Sequence, residues 1–424
     1  MKVRDRLYVL LCGFLTLCGF LMLGAAVPSR AAELKRYVYM VQPDGSTGGG
    51  PGSRNGILVL DVDRRFSFVK RITTPGILKI RQGVSSGCGM RGIAIDAKSG
   101  RLYYSWHQGK EPGDDGAGCV DLKTDKVIWE RSYDFSCARL QVSIDGKTLY
   151  MPRHWTDSST KKLFTIDAAT GEPGRVYDTG KAWPQHPLIV HPDGRRLLFP
   201  GACLDLASGE LLWAEREVFR GNMHIVMDKT GRRLYTGRHR DAETVATWIL
   251  SADTGEVLTK VPIDKQKHPD LQGISEVVAF EPDGKHFWGE TRNYLVRCRN
   301  TKNPPEMVNV IAKEAIRQKH GLSQGGQKGH AMVTGAGDFV WFSNGMVLEA
   351  ATGKLHCVMT GEEGRRTWGA KFVEGTWIDD EIVWAGQDEC HGFIYEDHPI
   401  ERVRSLLSQG SSLRGARDQQ YKDE

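Results

Sequence analysis

Residues 186–199, HPLIVHPDGRRLLF, are a short apolar run, a polar Pro-Asp-Gly turn and a second apolar run. Short apolar runs on both sides of a turn that tolerates positive φ are the pattern of a tight antiparallel hairpin. Near-copies begin at 91 (RGIAIDAKSGRLYYSW), 139 (RLQVSIDGKTLYMPR) and 224 (HIVMDKTGRRLYTGR), with weaker ones at 276, 330 and 369. Their turn glycines fall at Gly100, Gly146, Gly194, Gly231, Gly284, Gly337 and Gly375, so seven hairpins are expected. Most are followed by a third strand and a second turn, as in LFTIDAATGEPGRVY, ACLDLASGELLWAE and WILSADTGEVLTKV, which makes four strands per unit.

Units of four strands repeated every ~40–50 residues are the form of propeller blades, because one such sheet buries both faces only by stacking on neighbours around an axis. The expectation is an all-β chain with a single β-propeller of four-stranded blades over 36–398. RYVYMVQ, GILVLDVD and FSFVKRI supply three strands of a first blade, which a C-terminal strand would complete. Seven blades are predicted. EIVWAG and GFIYE exceed what closure by one strand needs, and they leave eight as the alternative. Residues 405–424 lack a periodic apolar pattern and read as a disordered tail.

The same pattern also identifies what is not propeller. Lys2, Arg4 and Arg6 precede the run YVLLCGFLTLCGFLMLGAAV, and small residues follow at Ala25, Ala26, Ala31 and Ala32, so 1–31 reads as an export signal. The run is long enough to span a bilayer, which keeps an uncleaved N-terminal anchor as the other reading. The expected location is periplasmic or secreted, with membrane contact only if this segment is kept. Its removal lowers the formal charge of +5 to roughly +2. That balance argues against nucleic acid, whose binding rests on a strongly basic footprint.

DLASGELLW (205–213) and DLKTDKVIW (121–129) resemble the Asp-x-x-Thr-Gly-x-x-x-Trp motif of quinoprotein repeats. The hairpin units resemble the YVTN-type repeats of exported bacterial propellers, over most of the chain from about 36 to 396. Both resemblances imply a propeller of the quinoprotein amine dehydrogenase-like group. They do not imply one activity, since fold and function separate readily.

In an antiparallel hairpin the first strand begins and the second ends at one edge, opposite the turn. First-strand starts supply Arg91, Arg139, His186, His224, Glu276 and His330; second-strand ends supply His107, Arg153, His154, Arg238, His239, Glu290 and Arg292. If the innermost strand leads each blade, the first set rings one mouth of the central channel, with Arg153, His154, Arg238 and His239 outside it. Guanidinium groups in such a mouth suit a carboxylate or phosphate, which they pair bidentately. His186, His224 and His330 with Glu276 would alternatively form an imidazole and carboxylate set for zinc, copper or iron, although no His-x-His or His-x-x-x-His spacing supports it. Polar strand ends that merely satisfy backbone groups are the plain structural alternative.

Seven cysteines follow the leader: Cys88, Cys119, Cys137, Cys203, Cys298, Cys357 and Cys390. Cys88, Cys119 and Cys137 are expected near the same face, with a structural disulfide from Cys88 to Cys119 or Cys137. No Cys-x-x-Cys, Cys-x-x-Cys-His or Walker loop occurs, and the residues name no cofactor. Trp106, Trp129, Trp155, Trp213, Trp248, Trp288 and Trp341 read as packing between blades. The leading functional expectation is a binding module for a small anionic ligand or a protein partner at the His/Arg-lined mouth. The alternatives are an enzyme, either a lactonase using Glu276 with His224 or Arg139 or a dehydrogenase-type subunit with a partner's cofactor, and a structural surface scaffold.

Overall fold

The computed structural model describes residues 34–41, 56–74, 89–107, 113, 115–137, 139–152, 161–184, 187–215, 225–237, 241–274, 276–291, 293–320, 331–342, 345–359, 371–378 and 381–387. They form seven antiparallel sheets, six of four strands and one of five, so the eight-blade alternative is excluded. Blade two shows the plan: Gly89–Asp96, Arg101–His107, Asp115–Asp121 and Lys126–Tyr133 pair in chain order. Blades three to seven repeat it, from Gln141–Val142, Ile189–Val190, Ile225–Met227, Glu276–Phe280 and Ala331–Val333. Among the described residues one α-helix, Lys313–His320, interrupts the strands.

The predicted turn glycines hold at six positions, where φ lies between 65° and 73°. Gly231 shows why glycine is required: φ is 72°, and a Cβ there would lie 2.8 Å from His191 Nε2 of the preceding blade. Gly375 is a correction. It lies inside a strand, paired with Tyr37 and Ala385, and the hairpin turns three residues later, after Ile378.

Blade one is where the chain closes on itself, and two C-terminal strands take part where one was expected. Leu34–Val41, Ile57–Asp61 and Ser67–Ile72 supply three strands; Lys371–Ile378 pairs with the first of them, and Glu381–Gln387 adds a fifth on its other edge. By its place in the order, Lys371–Ile378 is the counterpart of the leading strand of every other blade. Glu381–Gln387 therefore lies inside it, toward the axis, with Ile382, Val383 and Ala385 buried.

The core lies between blades. Tyr39, Val59, Ile93, Tyr104 and Trp377 fill the seam of blades one and two; Val38, Met40, Phe66, Trp341 and Phe372 fill that of seven and one. Trp341 and Phe372 stack at 4.1 Å there. Each such side chain removed from water stabilises by about 1.5–3 kcal/mol, and alternation along the strands gives every blade two apolar faces to spend on two neighbours.

The Asp-to-Trp motif has a mechanical meaning here. Asp205 Oδ1 accepts from Ala207 N and Ser208 N, shaping the turn, while Trp213 crosses to the next blade and donates Nε1–H to Ala252 O at 3.0 Å. Its ring covers Gly255, where a Cβ would lie 2.7 Å away. Asp121 and Trp129 repeat this against Ala168 O, at 3.1 Å, and Gly171. Trp106, Trp248, Trp288 and Trp341 are buried as packing residues; Trp155 lies outside the described residues, as do 1–31 and 405–424.

Candidate functional site

Registers confirm the geometry on which the site expectation rests. Gly89 pairs with His107 in blade two, Ile225 with Thr236 in blade five, Glu276 with Glu290 in blade six and Ala331 with Phe342 in blade seven. First-strand starts thus oppose second-strand ends, and the turn glycines lie at the other edge.

Two ring residues can be placed with their side chains. Arg91 occupies a bulge between Met90 and Gly92, and Arg139 leads into the first strand of blade three. Both are half-buried. The backbones of these neighbouring inner strands nearly touch: a Cβ on Gly92 would be 2.8 Å from Arg139 Cα. Glu276 is placed by its strand position alone. His186, His224, His330, Arg153, His154, Arg238, His239 and Arg292 lie outside the described residues; His224 and His330 immediately precede Ile225 and Ala331, which open blades five and seven.

Beside Arg139 the face carries an oriented imidazole. His107 Nδ1 is 2.8 Å from both oxygens of Asp115, and Cys137 N donates to Asp115 Oδ2 at 2.9 Å. A carboxylate that accepts from a backbone N–H on one side and pairs with Nδ1 on the other fixes the orientation of the imidazole. Residue types singled out His107 but not Asp115, because HQGKEPGDDG offers two adjacent aspartates and only the register tells which opens the third strand.

Lys313 was also missed. This lysine is buried, and its Nζ donates to Glu290 Oε1 at 2.7 Å and to Thr291 O at 2.6 Å, fastening the start of the helix to the second-strand end of blade six. A lysine in a polar stretch carries no sequence signal for burial. Near the same edge, the buried Ser105 Oγ and Gln141 Oε1 have no hydrogen-bond partner among the described residues.

The cysteine expectation is corrected. Cys119 and Cys137 are free, so neither forms the disulfide with Cys88, itself outside the described residues. Cys119 is four residues into its strand, which starts at Asp115, and its thiol packs between blades two and three. Burial pushes it up to about 12.

The histidine set proposed for metal lies outside the described residues, apart from the strand position of Glu276. Among the described residues, Glu281, Asp283 and His286 bring ligand atoms within 4.8 Å of one another, but at the turn edge. Glu281 is engaged there by Arg297, at 2.7 and 2.9 Å, and by Trp288 Nε1 at 3.2 Å. A guanidinium already fills the place a cation would take.

The turn edge of the closing seam holds a denser charge cluster. Arg36, 2% exposed, donates to Asp63 and to both oxygens of Asp338. The fully buried Glu374 accepts from Gly335 N at 2.9 Å, while its Oε1 has no partner among the described residues. Burial, only partly offset by Arg36, raises its carboxyl to about 8. This cluster ties blades and faces away from the candidate mouth.

No protein-family model matches the chain, and no curated protein sequence does. Solved structures do. The periplasmic gluconolactonase of Pseudomonas aeruginosa is 12% identical with a TM-score of 0.52, covering 80% of this chain and 99% of its own. The Kuenenia stuttgartiensis hydrazine synthase is 15% identical with a TM-score of 0.50, covering 74% and 95%. A putative 6-phosphogluconolactonase from Bacteroides uniformis is 11% identical with a TM-score of 0.50, covering 80% and 99%. At such identities the likeness is one of fold, and by fold this chain is a seven-bladed β-propeller similar to propeller enzymes.

Proposed function

We propose that this chain is an exported propeller of the YVTN-type, quinoprotein-like group that binds a small carboxylate or phosphate at the mouth where the first strands begin. The observation that carries the reading is the close approach of the backbone at Arg139, which leads into one inner strand, to the neighbouring inner strand beside Arg91, at the edge where Cys137 N also meets the His107–Asp115 pair. Guanidinium groups there offer charge-assisted hydrogen bonds, each worth about 1.5–3 kcal/mol. Arg91, Arg139, His186, His224, Glu276 and His330 form the inner ring in this proposal, and Arg153, His154, Arg238 and His239 the outer one.

Export is supported by the charged and apolar leader and by the likeness to a gluconolactonase described as periplasmic. Among the described residues no helix is long and apolar enough to cross a membrane. The test is calorimetric titration with citrate, malate and inorganic phosphate at low salt. The Arg139→Ala/His224→Ala double variant should bind at least tenfold more weakly, with stability changed by no more than about 0.5 kcal/mol. Lost stability with unchanged binding would overturn the reading in favour of polar strand ends that tie blades together.

A hydrolytic reading has one observation in its favour: an imidazole oriented by a carboxylate on the candidate face, the arrangement of a general base. Turnover of glucono-δ-lactone that disappears in His107→Ala would support it.

A further inference from the structure

The first strand of blade three carries an unanswered acceptor next to Arg139. Leu140 and Val142 both pack into the seam of blades two and three. Alternation therefore sends Gln141 to the other side, where its register partner Tyr150 packs with Leu188 and Val190 between blades three and four. Gln141 is 7% exposed, and its Oε1 has no hydrogen-bond partner among the described residues.

Buried amide oxygens are almost always bonded, because an unmet acceptor forfeits its hydration without replacement. An exception two residues from an arginine on the ligand face is explained if a ligand supplies the missing hydrogen. A carboxylate has none to give, and a phosphate has one only while it keeps a proton. A hydroxyl has one, and on the carbon next to a carboxylate it stands within a few ångströms of the oxygens that a guanidinium grips.

We infer that the anion bound at the mouth is a hydroxycarboxylate, its carboxylate on Arg139 and its hydroxyl donating to Gln141 Oε1. This rests on the anion-binding reading and narrows it to one class. Specificity follows the same physics: a site built to accept a hydroxyl hydrogen rejects the analogue lacking it, since the buried oxygen is then desolvated for nothing.

The test uses two pairs of acids differing by one hydroxyl, malate against succinate and citrate against tricarballylate, titrated into the wild-type chain and into Gln141→Leu. The wild type is expected to favour the hydroxy acid of each pair about tenfold or more. Gln141→Leu is expected to remove that preference while keeping the affinity for succinate and tricarballylate, with no fall in thermal midpoint because a partnerless polar atom has been removed. Equal wild-type binding of both members of each pair overturns this inference and leaves the anion site standing. Binding of inorganic phosphate but of none of the four acids overturns this inference alone, and binding of none of the five overturns both.

Discussion

Arg36 Nη1 holds both carboxylate oxygens of Asp338, 302 residues further along the chain, at 3.0 and 2.8 Å. With Asp63 on its other nitrogens, Arg36 joins blade one to blade seven at the seam where the ring closes. Arg36→Met leaves two carboxylates facing each other without a cation, and unfolding in urea should show a loss of roughly 3 kcal/mol. An unchanged midpoint would mean that the apolar seam closes the ring unaided.

Glu374 makes that seam sensitive to pH. Burial raises its carboxyl from the ordinary 4.5 to about 8, so between these values the folded chain keeps a proton that the unfolded chain releases. Its contribution is fully present below pH 4.5 and is lost as pH rises through about 8. Thermal midpoints at pH 5, 7 and 9 should fall more steeply in the wild type than in Glu374→Gln, which cannot ionise.

Trp213 and Gly255 should behave as one unit. Gly255→Ala places a methyl 2.7 Å from the indole at a φ of 75°, which should cost about 1–3 kcal/mol. Trp213→Ala removes that clash along with the indole's bond to Ala252, so the two losses should be less than additive by more than about 0.5 kcal/mol. Strict additivity would show that the two do not interact.

The buried thiols give a chemical readout. Burial raises Cys119 and Cys203 to about 12, and Cys137 and Cys298 are as deeply enclosed. Iodoacetamide at pH 8 should label all four far more slowly in the native chain than in urea, since the thiolate is the reactive form. Rapid native labelling of Cys137 would show that the loop before Arg139 opens.

Much of the fold was legible because its determinants are local. A turn glycine such as Gly194, with a short apolar run on either side, specifies a hairpin without reference to anything distant. The Trp213 motif was equally readable, because turn and tryptophan lie within nine residues of each other. Gly375 misled because a Glu-Gly-Thr step between two apolar pairs looks alike in a turn and in a strand; the pairing with Tyr37 that decides it comes from the far end of the chain. At the site, His107 was visible as a residue type, whereas Asp115, Lys313 and Gln141 acquire their roles from burial and register. Arg36 and Glu374 carried no signal, since each meets its partners only once the ring has closed.

That closure fixes the order in which the molecule can be finished. Leu34–Val41 is made early, but its partner Lys371–Ile378 leaves the ribosome only after six other blades have been synthesised. Until then the oldest strand carries a bare row of amide and carbonyl groups with Val38 and Met40 uncovered beside it, a ready template for pairing with another chain. The growing polypeptide is therefore stickiest at its beginning and is relieved only by its end, so a transcript truncated before codon 371 should yield an aggregating product rather than a smaller propeller.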